Sequence, residues 1–313
     1  MSCLWRLQAL PLFFILSLCF PVTLQAGEIC LTFERLPYME PLLYWTPREV
    51  STLVLRELEK RQILAIGFVQ EEKLEDTPSS GVVLLDWAGK GHWLGNNTFA
   101  YADFNELEVK EFLEHVADGQ KSILQASRVS GRNFRYLRFP SMHFGNTEGK
   151  RKRISEVLFR NGYVVFPATV LPYDYEFNWV FRDYVDDEAA LEILKGMYLE
   201  YLLHCVDYAE KQAQAVFDRE IPQVLRLHLG IATARFLPEL LDALEGRGYT
   251  YITPEQVLEN PIFQIEEHYI GPLGLSFTDR VAAYQGKEFN PDSWEINRKD
   301  IRRELARQLK GDE

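Results

Sequence analysis

Charged side chains follow two segments of this chain that have the composition of buried strands. Glu34 and Arg35 come directly after the apolar residues 29–33, and His228 closes the run 224–228. A carboxylate can serve as a general base. A histidine, whose ordinary pKa is about 6.5, can serve as a general acid near neutral pH. Because the carboxyl ends of parallel strands meet at one face, we expect Glu34, Arg35 and His228 to lie at that face, where sites are built.

The elements that must position these residues alternate between strand-length apolar runs and amphipathic, helix-length segments. Thr46-Pro47-Arg48-Glu49 supplies an N-cap, a first-turn proline and a capping acid, which predicts a helix to Lys60. The alternation predicts parallel strands with helices outside, as an open sheet or a closed barrel. Four further segments are interpreted as a glycine-rich loop (91–103), one helix (105–126), a helix broken at Gly196 (186–217) and a loop excursion (266–290).

The first 26 residues have the composition of a secretory signal. Arg6 precedes the apolar run 7–20, and Leu24-Gln25-Ala26 resembles a cleavage site for signal peptidase. We therefore expect a secreted or periplasmic protein, with an uncleaved anchor as the alternative. The remainder is predicted to form a barrel over residues 27–265. Residues 266–313 would add the excursion and a charged C-terminal helix or tail, packed on the barrel or trailing it.

Cysteine content and charge restrict the class of protein further. Removal of the signal leaves Cys30 and Cys205, which we interpret as buried free thiols. A single disulfide bond between them is the alternative. The formal net charge of −12 argues against nucleic acid as a partner and gives no support for binding to anionic membranes. No apolar run after the signal is long enough to span a bilayer, so no membrane association is expected once the signal is cleaved.

Two segments resemble motifs of the polysaccharide deacetylases of the NodB-homology type, a carbohydrate esterase family 4-like group. Residues 91–103 (GHWLGNNTFAYAD) are similar to a family loop, G-H-E-L-G-N-H-T-x-x-H, whose last two histidines bind a divalent metal. Those positions are Asn97 and Tyr101 here. Residues 31–37 (LTFERLP) are similar to L-T-F-D-D-G-P, which would make Glu34 the general base and would place Arg35 at a metal-ligand position. The resemblance implies an α/β fold, a distorted (β/α) barrel.

All three metal-ligand positions of the family are therefore altered together. Arg35 is a permanent cation, and the side chains of Asn97 and Tyr101 are poor zinc ligands compared with a neutral imidazole. We expect no metal cofactor. Zinc or another divalent metal would bind only at a non-standard site, assembled from His92, His143 and a carboxylate brought close by folding.

Three further segments resemble the family. Arg138, in a segment like R-x-P, would orient the catalytic carboxylate, and His228, in a segment like L-L-L-H, would be the general acid. Asp174-Tyr175 stands where the family has D-W, whose ring forms a wall of the sugar pocket. The residues alone also fit a simpler interpretation, in which Glu34 is an ordinary charged residue, Tyr175 packs in the core and His228 is a structural histidine.

Three functions remain open. The first is a secreted pseudoenzyme that binds an amino-sugar polymer or oligosaccharide in the barrel mouth. The second is an active deacetylase that hydrolyses the C–N bond of N-acetyl amino sugars with Glu34, Arg138 and His228 and without the usual metal. The third is an interaction protein in cell-envelope polysaccharide assembly, with a patch on residues 266–290. The residues expected to contact sugar are Trp93, Tyr101, His143, Asp174, Tyr175 and His228.

Overall fold

The fold was analysed in a computed structural model that describes residues 27–132, 135–290 and 295–311. The predicted signal segment, residues 1–26, lies outside the described residues. Within these described ranges, seven strands form one sheet. They are β1 (Glu28–Leu36), β2 (Ile66–Val69), β3 (Trp93–Asn96), β4 (Arg135–Leu137), β5 (Tyr163–Val165), β6 (Gln223–His228) and β7 (Thr250–Tyr251).

Helices follow most of the strands and cover the outside of the sheet. The α-helices in the described ranges are α1 (Pro47–Lys60), α2 (Glu72–Asp76), α3 (Gly81–Gly89), α4 (Val109–Asp118), α5 (Lys121–Ser130), α6 (Glu148–Arg160), α7 (Tyr175–Asp183), α8 (Glu188–Phe217), α9 (Ile231–Gly246), α10 (Pro254–Glu259), α11 (Phe277–Tyr284) and α12 (Arg298–Leu309). The main core lies between the sheet and helices such as α1, α8 and α9. No helix among the described residues is long and apolar enough to cross a membrane.

The strands are parallel and close into an irregular barrel. Their order is β5-β4-β3-β2-β1-β6, and β7 pairs with the start of β1. After β5 the chain runs to β6, where Val170 forms a bridge with Leu225 and the Arg226 amide donates to the Val170 carbonyl at 3.1 Å. This extended segment joins the two ends of the sheet. The predicted distorted (β/α) barrel is confirmed.

Local sequence signals explain where the first helix begins. The Thr46 hydroxyl accepts a hydrogen bond from the Glu49 amide at 3.2 Å, and the Glu49 carboxylate accepts one from the Thr46 amide at 2.7 Å. This reciprocal pair satisfies two amides that have no partner inside the helix. The predicted start at Pro47 and end at Lys60 are therefore both observed.

Several predicted elements differ from those observed. The segment 91–103 was expected to be a loop, but it begins with strand β3. The single helix expected over 105–126 is two helices, α4 and α5, separated at Gly119, where a Cβ atom would lie 2.7 Å from the Thr98 backbone. Helix α8 runs unbroken through Gly196, and no close contact requires glycine at that position. The excursion 266–290 contains helix α11, and helix α7 was not predicted.

The C-terminal helix packs on the barrel rather than trailing from it. Ile301 and Leu305 of α12 are fully buried and belong to the main core, where α12 contacts α7 and α8. The boundary at residue 265 stays a prediction. Cys30 and Cys205 are buried free thiols, as expected, and burial raises the pKa of each thiol to about 12.

The packing of α12 predicts unequal effects of two leucine substitutions on the same helix. Leu305→Ala should lower the free energy of unfolding by about 2–5 kcal/mol, because it leaves a cavity in the main core. Leu309→Ala is the matched control, since Leu309 is 39% exposed and should cost no more than about 0.5 kcal/mol. Urea unfolding of both variants measures the difference. Equal, small effects would show that α12 does not contribute to the core.

Candidate functional site

The register between β1 and β6 brings the acid and the base of the predicted site together. Glu34 lies directly opposite His228, and Thr32 lies opposite Arg226. Residues paired across parallel strands point to the same face, and alternate residues share a face. Side chains of Thr32, Glu34, Arg226 and His228 therefore all point into the barrel. The barrel interior at this level is polar.

The Glu34 carboxylate is enclosed by three side chains. One oxygen, Oε1, lies 3.5 Å from the Arg138 guanidinium, and the other, Oε2, lies 3.8 Å from Nε2 of His228. The Tyr101 hydroxyl donates to Oε2 at 3.5 Å. Glu34 is completely buried, and its Oε1 has no hydrogen bond to any described residue. The carboxylate is therefore held inside the protein rather than on the wall of the mouth.

Arg138 lies beside the Glu34 carboxylate in the barrel interior. It follows strand β4 and donates to the Thr32 hydroxyl at 2.9 Å and to the Pro167 carbonyl at 2.7 Å, with its guanidinium 4.4 Å from the Phe68 ring centre. Burial lowers the pKa of Arg138 to about 10, and the negative charge of Glu34 opposes this effect. Arg138 thus stays charged at neutral pH and fixes the Glu34 carboxylate beside it.

The Asp174 carboxylate holds the His228 imidazole in place. This role differs from the contact with sugar that was predicted for Asp174. Nδ1 of His228 lies 2.6 Å from one Asp174 oxygen, while the other oxygen accepts from the His228 amide at 2.8 Å and the Thr233 hydroxyl at 3.1 Å. An ionised carboxylate only accepts hydrogen bonds, so Nδ1 carries the hydrogen and Nε2 faces Glu34. Asp174 is fully buried behind the imidazole, so it cannot make the contact with sugar that was predicted for it.

The side chains at the three positions where the family resemblance places metal ligands contact other parts of the protein. The Arg35 guanidinium lies over the Tyr101 ring at 4.3 Å, and the Asn97 amide donates to the Arg138 carbonyl at 3.1 Å. Burial, with a further contribution from Glu34, raises the pKa of Tyr101, so the phenol stays protonated. Among the described residues, no group of three or more His, Cys, Asp or Glu side chains could hold a metal ion. These residues do not fit the family's metal.

A cavity of about 250 Å³ opens at the carboxyl ends of the strands. Its walls include the aromatic residues Tyr101, Tyr173 and Tyr175 and the basic residues His143, Arg226 and His228. The Tyr175 ring meets the His228 ring edge-on, with centres 5.1 Å apart. The volume lies just below the range of about 300–1,000 Å³ typical of pockets for drug-sized ligands. The cavity can therefore hold a small polar ligand.

Two features of this cavity were missed from the sequence. Arg226 stands two residues before His228 on β6, and the period of two along a strand could have placed it on the same face. Asp103 holds Nδ1 of His143 at 2.8 Å from both carboxylate oxygens, and no local spacing connects these two residues. His143 lines the cavity, and its predicted contact with a sugar stays a prediction.

Trp93 and His92 lie away from this cavity. Trp93 begins β3 and pairs with Ile66, at the amino end of the strands, where it is buried beneath the Arg132 guanidinium. His92 accepts a hydrogen bond from the Ala65 amide, and burial lowers its pKa to about 4. Trp93 is therefore not part of the mouth, and His92 is not close enough to His143 to form the alternative metal site. The reason is that Trp93 and His92 lie where strand β3 begins, whereas the cavity lies where the strands end.

Strained backbone is concentrated beside the cavity. Arg35, Thr98, Tyr101, Ser141 and Met142 all have φ between 53° and 68°, in the left-handed region that non-glycine residues rarely adopt. Such conformations cost about 1–3 kcal/mol each and persist where the surroundings impose them, which is common at functional sites. Arg35 and Tyr101, two of these five residues, stand where the family resemblance places metal ligands. The surrounding structure therefore holds the loops beside the cavity in one conformation.

The C-terminal excursion forms one side of the cavity. Leu273 and Gly274 line it, and a Cβ atom on Gly274 would collide with the Ser141 carbonyl. The Asn105 amide fixes the neighbouring Pro272 carbonyl at 3.3 Å. Only glycine at position 274 lets this segment approach so closely. The excursion therefore closes one side of the cavity by direct packing against the Ser141 backbone.

Comparison with known proteins gives one family match. Residues 22–154 match the family model described as polysaccharide deacetylase. No curated protein sequence matches the chain significantly.

Solved structures with a similar course of the chain include both enzymes and a pseudoenzyme. The peptidoglycan N-acetylglucosamine deacetylase Bc1960 is 16% identical, covers 74% of this chain and 88% of its own, and has a TM-score of 0.45. PdaA of Bacillus subtilis, a family 4 carbohydrate esterase, is 17% identical over 75% of this chain and 81% of its own (TM-score 0.46). BA3943 of Bacillus anthracis, a CE4 family pseudoenzyme, is 14% identical over 75% and 66% (TM-score 0.46).

The position of Arg35 predicts a pH-dependent stability that acts through Lys73. The buried Lys73 ammonium donates to Glu40 at 2.7 Å. Burial and then the positive charge of Arg35 lower its pKa from 10.5 to about 8. Between these two pH values the unfolded chain binds more protons than the folded chain. The contribution of Lys73 to the free energy of unfolding should therefore rise as the pH increases through this window.

NMR titration of the Lys73 side chain provides the measurement. Arg35→Gln should move the Lys73 pKa upward and reduce the slope of stability against pH, because it removes a nearby cation. Arg48→Gln is the control, since Arg48 is exposed on α1 and pairs with Asp86. An unchanged Lys73 pKa in Arg35→Gln would contradict the position of the Arg35 guanidinium close to Lys73.

Proposed function

We propose that this protein binds carbohydrate in the barrel mouth and does not catalyse deacetylation. The observation that carries the proposal is the arrangement of the former ligand positions. Arg35 and Tyr101 contact each other and Asn97 contacts the Arg138 backbone, so these side chains are not directed at a common metal. Without a metal, nothing in the site lowers the pKa of a water molecule toward about 7, as this hydrolysis requires.

The burial of Glu34 also supports a binding function. In the family mechanism this carboxylate would be the base. Here Glu34 does not line the cavity and lies among Arg138, Tyr101 and His228. A general base must come within about 2.6–3.2 Å of the proton that it removes, directly or through one water. Glu34 is better placed to hold the cavity wall together than to reach a substrate.

The shape and chemistry of the cavity suit a sugar. Tyr173 and Tyr175 offer rings that can pack on the apolar face of a pyranose, and their hydroxyls can meet polar groups. His143, Arg226 and the Ser141 backbone region add hydrogen-bonding groups around the rings. A volume of about 250 Å³ favours one sugar unit rather than a long stretch of polymer. The proposed ligand is an amino-sugar polymer or oligosaccharide engaged through a single residue.

An active deacetylase remains the second candidate, and one contact favours it. The short hydrogen bond between Asp174 and His228 would orient an imidazole as a general acid at the cavity wall. Secretion, and a role as an interaction protein through residues 266–290, also stay proposals. The excursion helps to form the cavity in this structure, which connects it to ligand binding.

Zinc titration separates the binding protein from the enzyme. The metal-stripped protein should show no stoichiometric zinc binding by calorimetry, and should release no acetate from chitotetraose. The triple variant Arg35→Asp, Asn97→His, Tyr101→His should gain zinc binding, because it restores the ligand types of the family. Micromolar or tighter zinc binding by the parent, lost in His143→Ala or His228→Ala, would overturn the proposal. Acetate release that Glu34→Gln abolishes would support the enzyme instead.

Sugar binding is tested at Tyr175. Tyr175→Ala should weaken the affinity for a tetrasaccharide ligand by about 1.5–3 kcal/mol, since it removes a large ring from the cavity wall. Tyr44→Ala provides the matched control, because Tyr44 is 83% exposed and does not line the cavity. Calorimetry with N-acetylated and glucuronate-containing tetrasaccharides gives the affinities. If both variants bind like the parent, Tyr175 is not part of the sugar site.

A further inference from the structure

Arg226 has fewer partners than a buried arginine requires. It is 5% exposed and lines the cavity, and its Nη2 donates to the Pro172 carbonyl at 3.4 Å. Its Nε has no hydrogen-bond partner in the described part of the chain. Within the same ranges no carboxylate lies within 4.0 Å of its guanidinium. A buried guanidinium carries five N–H donors, and leaving them unpaired is costly. The side chain is thus set up for an acceptor that enters the cavity.

The nearby acids are already engaged. Glu34 contacts Arg138 and His228, and Asp174 is bonded to His228 and Thr233. Neither carboxylate can turn toward Arg226 without leaving another buried group unpaired. These contacts leave the positive charge of Arg226 without a neutralising group in direct contact.

The charge around the cavity contrasts with that of the whole protein. The chain has a formal net charge of −12. In the cavity wall, His143 is paired with Asp103 and His228 with Asp174, whereas the Arg226 guanidinium has no carboxylate within 4.0 Å among the described residues. A surplus cation in a cavity with low-dielectric walls attracts anions much more strongly than an exposed one. The acidic exterior would repel the same anions. A cationic pocket in an acidic protein therefore selects for an anionic group at one place.

We propose that the sugar bound in this cavity is acidic and that its carboxylate is bound by Arg226. The proposal rests on the proposed carbohydrate-binding function and deepens it by naming the class of sugar, a uronic acid or similar unit. The planar guanidinium matches a carboxylate through two parallel hydrogen bonds. The Tyr175 ring, on the same cavity wall, can then pack on the pyranose face. Arg226 thereby determines specificity, and Tyr175 contributes contact area.

Calorimetry with two matched tetrasaccharides tests this assignment. One is chitotetraose, which is neutral, and the other alternates glucuronate with N-acetylglucosamine. The parent should bind the acidic tetrasaccharide at least about tenfold more tightly, because a hydrogen bond to a charged group contributes most when buried. The preference should decrease as salt is added, since part of the attraction is electrostatic.

Variants assign the preference to one residue. Arg226→Gln should lower the affinity for the acidic tetrasaccharide about tenfold to a hundredfold and leave the neutral one unchanged. Arg226→Lys keeps the charge, loses the planar fork and should fall between the two. Arg48→Gln removes one exposed positive charge on α1 and should bind both sugars like the parent. The selectivity of the parent tests the proposal even if an Arg226 variant fails to fold.

The possible failures are distinguishable. If the parent binds both tetrasaccharides equally, or prefers the neutral one, the acidic class is wrong and carbohydrate binding stands. An acidic preference that persists in a folded Arg226→Gln variant would assign the carboxylate to another residue and overturn the role of Arg226. If neither tetrasaccharide binds, both the proposed function and the acidic ligand class are refuted.

Discussion

The buried contact between Glu34 and Arg138 is the interaction on which the rest of the site depends. It joins β1 to the end of β4 across the barrel interior, and Arg138 also bonds the Pro167 carbonyl on the segment that closes the barrel. Breaking a buried ion pair by removing one partner typically costs about 3–5 kcal/mol, because the other charge is left unpaired. The pair that would orient a catalytic base in the family therefore also stabilises closure of this barrel. A structural requirement can preserve it without catalysis.

Arg35, Asn97 and Tyr101, which stand where the family has metal ligands, have partners within the protein. Loss of a single metal ligand would leave polar groups without a partner in the barrel interior, and burying an unpaired polar group costs free energy. Here the Arg35 cation stacks on Tyr101, and the Tyr101 hydroxyl reaches Glu34. The Asn97 amide bonds the backbone at Arg138, although its oxygen has no partner among the described residues. Arg35 and Tyr101 thus contact each other, and Asn97 contacts the Arg138 backbone, so each of the three side chains has a partner within the protein.

The sequence predicted features that have local signals better than features that depend on how the strands close into a barrel. The alternation of elements, the capping box at Thr46 and the positions of Glu34 and His228 were all predicted, because strand ends and helix starts have local signals. Trp93 was misplaced because the short strand β3 was interpreted as a loop, so its direction was unknown. Arg226 was missed because it interrupts an apolar run. Asp174 was assigned to the sugar because its partner is 54 residues away.

The bond from Asp174 to His228 fixes the imidazole in a way that would suit either binding or catalysis. With its hydrogen on Nδ1, the imidazole keeps a fixed orientation at the cavity wall, and Nε2 faces inward beside Glu34. A rigid wall reduces the entropy that a ligand must remove on binding. The same geometry serves catalysis only if a base and an activated water reach the substrate. Orientation of His228 is therefore common to both functions, and access of Glu34 to the cavity is the property that distinguishes them.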